Sequence, residues 1–476
     1  MLTSLILIPL LLVMLINLPL RKALMNFLGF WLAFMCALTQ VAFALCADPS
    51  AWITQLPELT EWLHFQATID TLSRVMILAI GLVSSTGLML CRYWTQDGDR
   101  RFLYSNLFLL SLAGMNGIVL ASDFITLYVF LEITAVSSFI LIAFDLEKAG
   151  FEGAFKYFLL SAIATALLLI GIGIFFTVAG STSFLVVAIA LKGNMNNWLV
   201  LLACAAFISG LLIKAGVMPF HGWLPDAYSS APAPASVLLA GIVTKTTGVY
   251  TIMRITQSVF GFSPHLQLIL LCVGCLSMLA GALLALHQVD FKRMLAYSSI
   301  SQVGYIILGL GAASPLGIVG AVFHLFNHAV FKTLLFINAS AVEKETGTRN
   351  MEEMGGLSNR MPLTGASSVV GFLSTAGIPP LSGFWSKLMI IVALWQAGYP
   401  YLAVTAVIAS LITLAYFLSM QRRVFFGKTS PEYADLFEAN PWATTPAIVL
   451  AIITISLGLC VPWLFETFII PIRSFL

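Results

Sequence analysis

Apolar residues gather along the whole chain in runs of about 20, the length an α-helix needs to cross a bilayer, and short polar connections part the runs. The runs lie near residues 2–20, 24–46, 72–92, 102–121, 123–144, 153–178, 197–218, 232–258, 264–287, 293–312, 315–341, 363–396, 401–421 and 444–465, and they predict fourteen spans. The first run has no basic residue ahead of its apolar core and no small-residue cleavage motif, and Arg21 and Lys22 follow it, so it reads as a span rather than a secretory leader. The longest polar connections, 47–70, 342–362 and 427–443, are too short to fold as separate domains. The chemistry of the chain is therefore expected inside the membrane or at its surface.

Composition strengthens this picture. Of 476 residues 60% are hydrophobic and 9% charged, against roughly a quarter charged in soluble proteins. The pattern predicts an all-α polytopic membrane protein. Basic residues cluster after odd-numbered spans, among them Arg100, Arg101, Arg293, Arg349, Arg422 and Arg423, whereas Lys192 is nearly alone after even-numbered ones. By the positive-inside rule both termini face outward across a plasma membrane and the basic loops face the cytoplasm. The net charge of +2 gives no sign of a nucleic-acid partner. The seven cysteines are dispersed, and the one close pair, Cys272 and Cys275, sits in an apolar helix. With no cluster motif, Walker loop or dinucleotide fingerprint, no cofactor or metal is expected in this chain, and any such group belongs to a partner.

The chain contains an internal repeat. "AGVMPFHGW" (215–223) aligns with "AGIPPLSGF" (376–384), and "GAFKYFLLSA" (153–162) resembles "AVFKTLLFINA" (329–339), with Lys156 set against Lys332. The matches pair the sixth span with the eleventh and the seventh with the twelfth. A step of five spans reverses direction, so two inverted five-helix repeats are expected, the plan of transporters whose ion sites form at interrupted helices. Pro219 and Pro380 break the seventh and twelfth helices, and the carbonyls so freed need protein or water partners. The expected organisation is 1–101 as three N-terminal spans, 102–260 as the first repeat, 261–426 as the second, and 427–476 as a loop with the last span.

Ionisable residues interrupt several spans: Glu132, Lys214, Lys245, His324, His328, Lys332 and Lys387. Each charge at mid-membrane costs about 2.5–3.5 kcal/mol, so four lysines and a glutamate would cost about 12 kcal/mol if unrelieved. Such residue types suit proton or cation relay, because burial lowers a lysine's proton affinity and a nearby carboxylate raises it. Glu132 is the carboxylate well inside a span and is expected to pair with Lys214. His324, His328 and Lys332 recur every fourth residue on one helix face over about 12 Å. Two histidines so spaced can bind a metal or be satisfied by helix-to-helix hydrogen bonds, but the lysine on their face favours a proton relay. Lys387 follows the second break and has two readings, a relay group or a donor to the freed carbonyls. Lys245 lies among Thr244, Thr246 and Thr247, which suggests a hydrated setting. Glu152 and Lys156 read equally as an interfacial pair or part of a pathway. Asp290 suits a helix N-terminus, with Lys292 and Arg293 serving orientation, and His221 and Asp226 fit a proton entrance or a plain turn.

The segments "LEITAVSSF", "IKAGVMPFHGWLPDAYSSAPAPASVLLAGIVTKTTGVY", "DFKRMLAYSSISQVGY", "HLFNHAVFKTLLF" and "GIPPLSGFWSK" resemble the antiporter-like membrane subunits shared by respiratory complex I, Mrp-type sodium–proton antiporters and membrane-bound hydrogenases. The likeness spans roughly 102–425 and implies fourteen core helices. It also implies that Glu132 and Lys214 form a coupling ion pair, that Lys245 connects, that His324 and His328 form a central relay, and that Lys387 is the terminal group toward the outside. It fixes no role for Lys332. Lys387 stands where the M type of complex I has glutamate, and the histidine stripe is closer to L-type, Mrp and hydrogenase relatives. The chain ends soon after the fourteenth span, without the lateral helix of the L type. A hydrogenase-like, complex I-like or Mrp-type assembly is expected, with other membrane subunits as partners, protons as the ion, sodium exchange left open, and redox chemistry in other chains. The competing readings are a scaffold whose buried charges only hold helices together and a self-sufficient antiporter.

Overall fold

The computed structural model describes residues 3–18, 22–46, 69–194, 197–428 and 431–461. Arg21, most of the 47–70 connection and the last part of the expected 444–465 span lie outside the described residues. The described chain is helical: α1 Ser4–Ile16, α2 Lys22–Cys46, α3 Thr71–Trp94, α4 Gly98–Leu120, α5 Phe124–Ile142, α6 Lys148–Ala179, α7 Phe184–Asn194, α8 Trp198–Ala215, α9 Trp223–Ser230, α10 Ala233–Phe260, α11 Pro264–Leu286, α12 Phe291–Gly311, α13 Pro315–Thr346, α14 Pro362–Ala376, α15 Ser382–Gln396, α16 Pro400–Val424 and α17 Pro441–Leu459.

Each of the fourteen apolar runs is occupied by helix, and twelve of these stretches are long and apolar enough to cross a membrane. The other two differ for separate reasons. Helix α1 has only 13 residues, and the twelfth run is divided into α14 and α15, of 15 residues each. The sequence pattern did not foresee α7, an 11-residue apolar helix between the sixth and seventh spans.

Local chemistry sets the ends. Asp97, Asp123, Asn197, Asp290, Ser314 and Asn440 each accept a hydrogen bond from a backbone N–H of the first turn that follows. At both breaks the helix runs into a glycine in the left-handed region, Gly216 at φ 66° and Gly377 at φ 85°, which a side chain would strain. Met218–Pro219 and Pro379–Pro380 are both cis.

The repeat is visible in the backbone. The shift that carries Asp123 onto Asp290 also carries Ser183 onto Asn350, and these four residues form two like antiparallel bridges, Asp123 with Ser183 and Asp290 with Asn350. It carries α6 onto α13, both of 32 residues and both closed by a left-handed glycine. This register corrects one detail of the sequence match: Lys332 falls on Thr165 and His328 on Ser161, not Lys332 on Lys156, because a shared Phe-Lys pair had drawn the alignment about two and a half turns out of place.

Two compact units divide the described chain. The first contains Met1–Leu88, Asp97–Gly216 and Ile242–Ser263; the second contains Met89–Gln96, Val217–Gly241 and Pro264–Leu476. Within the first, Gly248 on α10 meets the end of α8 so closely that a Cβ there would collide with the backbone of Ala215. Close backbone approach of this kind is how membrane helices gain contact without a hydrophobic drive. It sets the helix of Lys245 directly against the residue that follows Lys214.

Candidate functional site

In the first unit the expected pair forms. Lys214, in the last turn of α8, donates from Nζ to Glu132 Oε1 on α5 at 3.2 Å and to Ser161 Oγ on α6 at 3.2 Å. Thr165 Oγ1, one turn beyond Ser161, donates to the same Glu132 oxygen at 2.7 Å. The partners are unequally buried: the Lys214 side chain is 2% exposed, that of Glu132 32%. Glu132 opens into a hollow of about 250 Å³ walled by Phe139, Phe158, Ser161, Thr165 and Leu169. The α5 and α6 residues around it, such as Val129, Val136 and Ile163, are exposed and apolar. A carboxylate at such a place can be reached from outside the unit while its lysine cannot.

Lys245 is fully buried in α10, where the backbone opens into π-helical turns over Leu239–Val243 and Lys245–Tyr250. Such π-turns inside an α-helix recur at functional sites. Thr246 and Thr247 direct their hydroxyls to the carbonyls of Ile242 and Val243 four residues back.

In the second unit, His324, His328 and Lys332 are buried on one face of α13. The two imidazoles lie nearly parallel, with ring centroids 6.4 Å apart. Among the described residues no group of three or more metal-ligating side chains includes them. His324 Nδ1 meets Ser386 Oγ on α15 at 2.8 Å, and the same oxygen accepts from Asn327 Nδ2 at 3.2 Å. Ser386 has its own carbonyl partner in Gly383 at 3.2 Å. With Ser386 donating to Gly383, the Nδ1 contact is served by the tautomer in which His324 donates from Nδ1, and its Nε2 is left with a lone pair and no hydrogen-bond partner among the described residues. Lys332 donates from Nζ to Leu295 O at 3.0 Å and to Ser298 Oγ at 2.7 Å on α12, and Tyr416 donates to the same Ser298 oxygen at 2.7 Å.

Lys387, also buried, donates to the carbonyl of Ala376 at the break, at 3.5 Å, and stands 4.5 Å from the centre of the Tyr305 ring. Of its two sequence readings, the donor to a freed carbonyl is the one this contact bears on.

Other charges find partners within the protein. Asp226 is held by Arg293 at 2.6 Å, which ties the turn after the first break to the start of α12. Lys292 is not an orientation charge on the surface: it is buried and paired with Glu343 at 2.5 Å beneath the Trp94 ring. Glu152 and Lys156 pair with each other at 2.6 Å on an exposed face. Sequence reasoning missed Lys292–Glu343 because both lie near helix ends. It also missed Arg254, which grips Asp70 through two nitrogens at 2.5 and 2.7 Å, although an arginine near the end of an apolar span was a usable signal.

Comparison with known proteins places the chain in a family and a fold. Residues 121–413 match the family described as "NADH:quinone oxidoreductase/Mrp antiporter, TM". The chain is 36% identical to the N subunit of the NADH-quinone oxidoreductase of Desulforudis audaxviator, over 74% of this chain and 71% of that one. It is 31% identical to the D subunit of the Na(+)/H(+) antiporter of Alkalihalophilus pseudofirmus, over 83% and 80%. Among solved structures it superposes on a chain of the membrane-bound sulfane sulfur reductase, an archaeal respiratory membrane complex, with a TM-score of 0.88 and 28% identity, covering 100% of this chain and 97% of that one. The chain is thus similar both to an N subunit of NADH-quinone oxidoreductase and to a D subunit of a Na(+)/H(+) antiporter. The match over 121–413, together with identity above 30% over most of the chain, shows that it belongs to the NADH:quinone oxidoreductase/Mrp antiporter transmembrane family.

Proposed function

We propose that this chain is the proton-translocating antiporter-like subunit of a multisubunit membrane complex, with both termini outside the plasma membrane and the basic loops in the cytoplasm. The observation that carries this reading is the Glu132–Lys214 pair at the end of a broken helix, a buried lysine bound to a carboxylate that is reachable from one side. A neighbouring membrane subunit seated over the hollow changes the charge facing Glu132. That displaces the carboxylate from Lys214, and without its counter-charge the buried ammonium gives up its proton. Lys245 receives the disturbance in the first unit. His324, His328 and Lys332 pass protons in the second, and Lys387 delivers them outward. Sodium exchange in the named antiporter relative makes it the alternative ion.

The test is Lys214→Met in the complex assembled with its own partner subunits and reconstituted in vesicles with an internal pH dye. Transport coupled to the partners' driving reaction is expected to vanish while assembly is kept. Undiminished proton movement would overturn the assignment, and loss of assembly with normal transport per surviving complex would return the pair to a scaffold role.

A further inference from the structure

The second unit contains a buried polar side chain that the relay above does not use. Gln302, in the middle of α12, is fully buried, and neither its Nε2 nor its Oε1 has a hydrogen-bond partner among the described residues. An amide left so in an apolar interior is destabilising, and buried amides in native proteins are nearly always satisfied, by water where protein groups do not reach.

Its place in the fold says what that water would touch. Helices α12 and α13 run antiparallel in a register fixed at three levels. Lys332 bonds Leu295 and Ser298, the His324 ring lies 5.9 Å from that of Tyr305, and a Cβ on Gly317 would meet the Gly309 carbonyl. This register sets Gln302 level with Asn327 and His328. Along α12, Ser298, Gln302 and Tyr305 share one face, so Gln302 lies between the hydroxyl that holds Lys332 and the ring over which Lys387 stands. Asn327 has a carbonyl oxygen and His324 an Nε2 that likewise lack hydrogen-bond partners among the described residues.

We infer that Gln302 is a positioning residue that seats a bridging water at the level of His328, linking the His324 end of the stripe to the Lys332 end. This rests on the proton-relay reading of the unit. An amide suits such a role because it donates through nitrogen and accepts through oxygen, so it orients a water for proton passage without itself taking a charge. The amide stays neutral and the proton moves from one imidazole to the water and on to the next base, with no net change at Gln302.

The discriminating variant is Gln302→Leu. It removes only polar atoms that bond no described protein group, so a purely structural role predicts equal or greater thermal stability and unchanged transport. The water-seating role predicts an assembled, stable complex whose proton transport falls about tenfold, as expected when one hydrogen-bonded link is lost, and which gains a solvent deuterium isotope effect as that link becomes limiting. Gln302→Glu, which keeps an acceptor and, when protonated, a donor, is expected to restore part of the rate. Wild-type transport in Gln302→Leu overturns the inference, as does an equal loss in Gln302→Leu and Gln302→Glu without an isotope effect. If the leucine variant does not assemble, Gln302→Met replaces it under the same criteria. Should Lys214→Met abolish transport while Gln302→Leu leaves it intact, only this inference fails; should neither variant change transport, the proposed function itself fails.

Discussion

The same two positions of one repeated helix do different work in the two units. In α6 they are Ser161 and Thr165, neutral hydroxyls that hold Lys214 and Glu132. In α13 they are His328 and Lys332, themselves ionisable. The breaks are also used differently. In the seventh span the lysine lies two residues before the left-handed glycine, and in the twelfth it follows the glycine by ten residues, beyond the break. One frame therefore carries a charged pair whose carboxylate is open to a neighbour, and a fully buried row of bases bound to hydroxyls, carbonyls and rings. A partly exposed ion pair answers to external charge because its attraction depends on what faces the carboxylate. A buried row with mostly neutral partners is suited to passing a proton along, since each member has a nearby base and little fixed charge to hold it.

The largest expected effect strikes the side that is addressed. Glu132→Gln leaves Lys214 buried without its carboxylate, and breaking one partner of a buried pair costs about 3–5 kcal/mol. Part of that is relieved by loss of the lysine's proton, so proton transport in reconstituted vesicles is expected to fall by on the order of a hundredfold with the complex still assembled. A transport rate within twofold of the parent would show that the carboxylate does not set the lysine's charge.

A second experiment compares the two equivalent positions directly. Lys332→Met removes a base from the buried row, whereas Thr165→Val removes only a hydroxyl that steadies Glu132. Transport is expected to drop about a hundredfold for the first, the scale on which a positioned proton-transfer group acts, and about fivefold for the second, the scale of one neutral hydrogen bond. Thermal stability, read by tryptophan fluorescence, should hold in Lys332→Met because a buried polar group with only neutral hydrogen-bond partners gives way to an apolar side chain of similar length. Similar losses for the two variants would erase the distinction between addressed pair and relay.

The sequence disclosed these regions unevenly, for physical reasons. Apolar run length is a strong signal because hydrocarbon admits few alternatives, so the twelve membrane-length helices among the described residues all fall on expected runs and both breaks were found from proline and glycine. The Glu132–Lys214 contact was legible because a lone intramembrane carboxylate has few possible partners. What stayed hidden were interactions that insertion energy does not announce. Lys292 and Glu343 sit near helix ends, where a charge is readily solvated, and only packing shows the lysine buried. Gln40 and Asn116 exchange reciprocal amide bonds at 2.9 Å without either being charged. The bonds of Thr246 and Thr247 were hidden likewise, since sequence does not reveal that a threonine hydroxyl is bonded to its own helix.

The smallest expected effect bounds the comparison from below. Glu152 and Lys156 form an ion pair four residues apart at the start of α6, with side chains 61% and 41% exposed. It repeats the residue types of the Glu132–Lys214 pair on the same surface, so it separates charge as such from charge that is buried. An exposed pair of this kind contributes about 0.3–0.5 kcal/mol, and less in salt. The double variant Glu152→Gln, Lys156→Gln is therefore expected to leave transport unchanged and to move the thermal midpoint by no more than about a degree. If it instead lowered transport as far as Glu132→Gln does, the decisive property would be acidic charge anywhere on the α5 and α6 face, and the burial of Lys214 would lose its place in the mechanism.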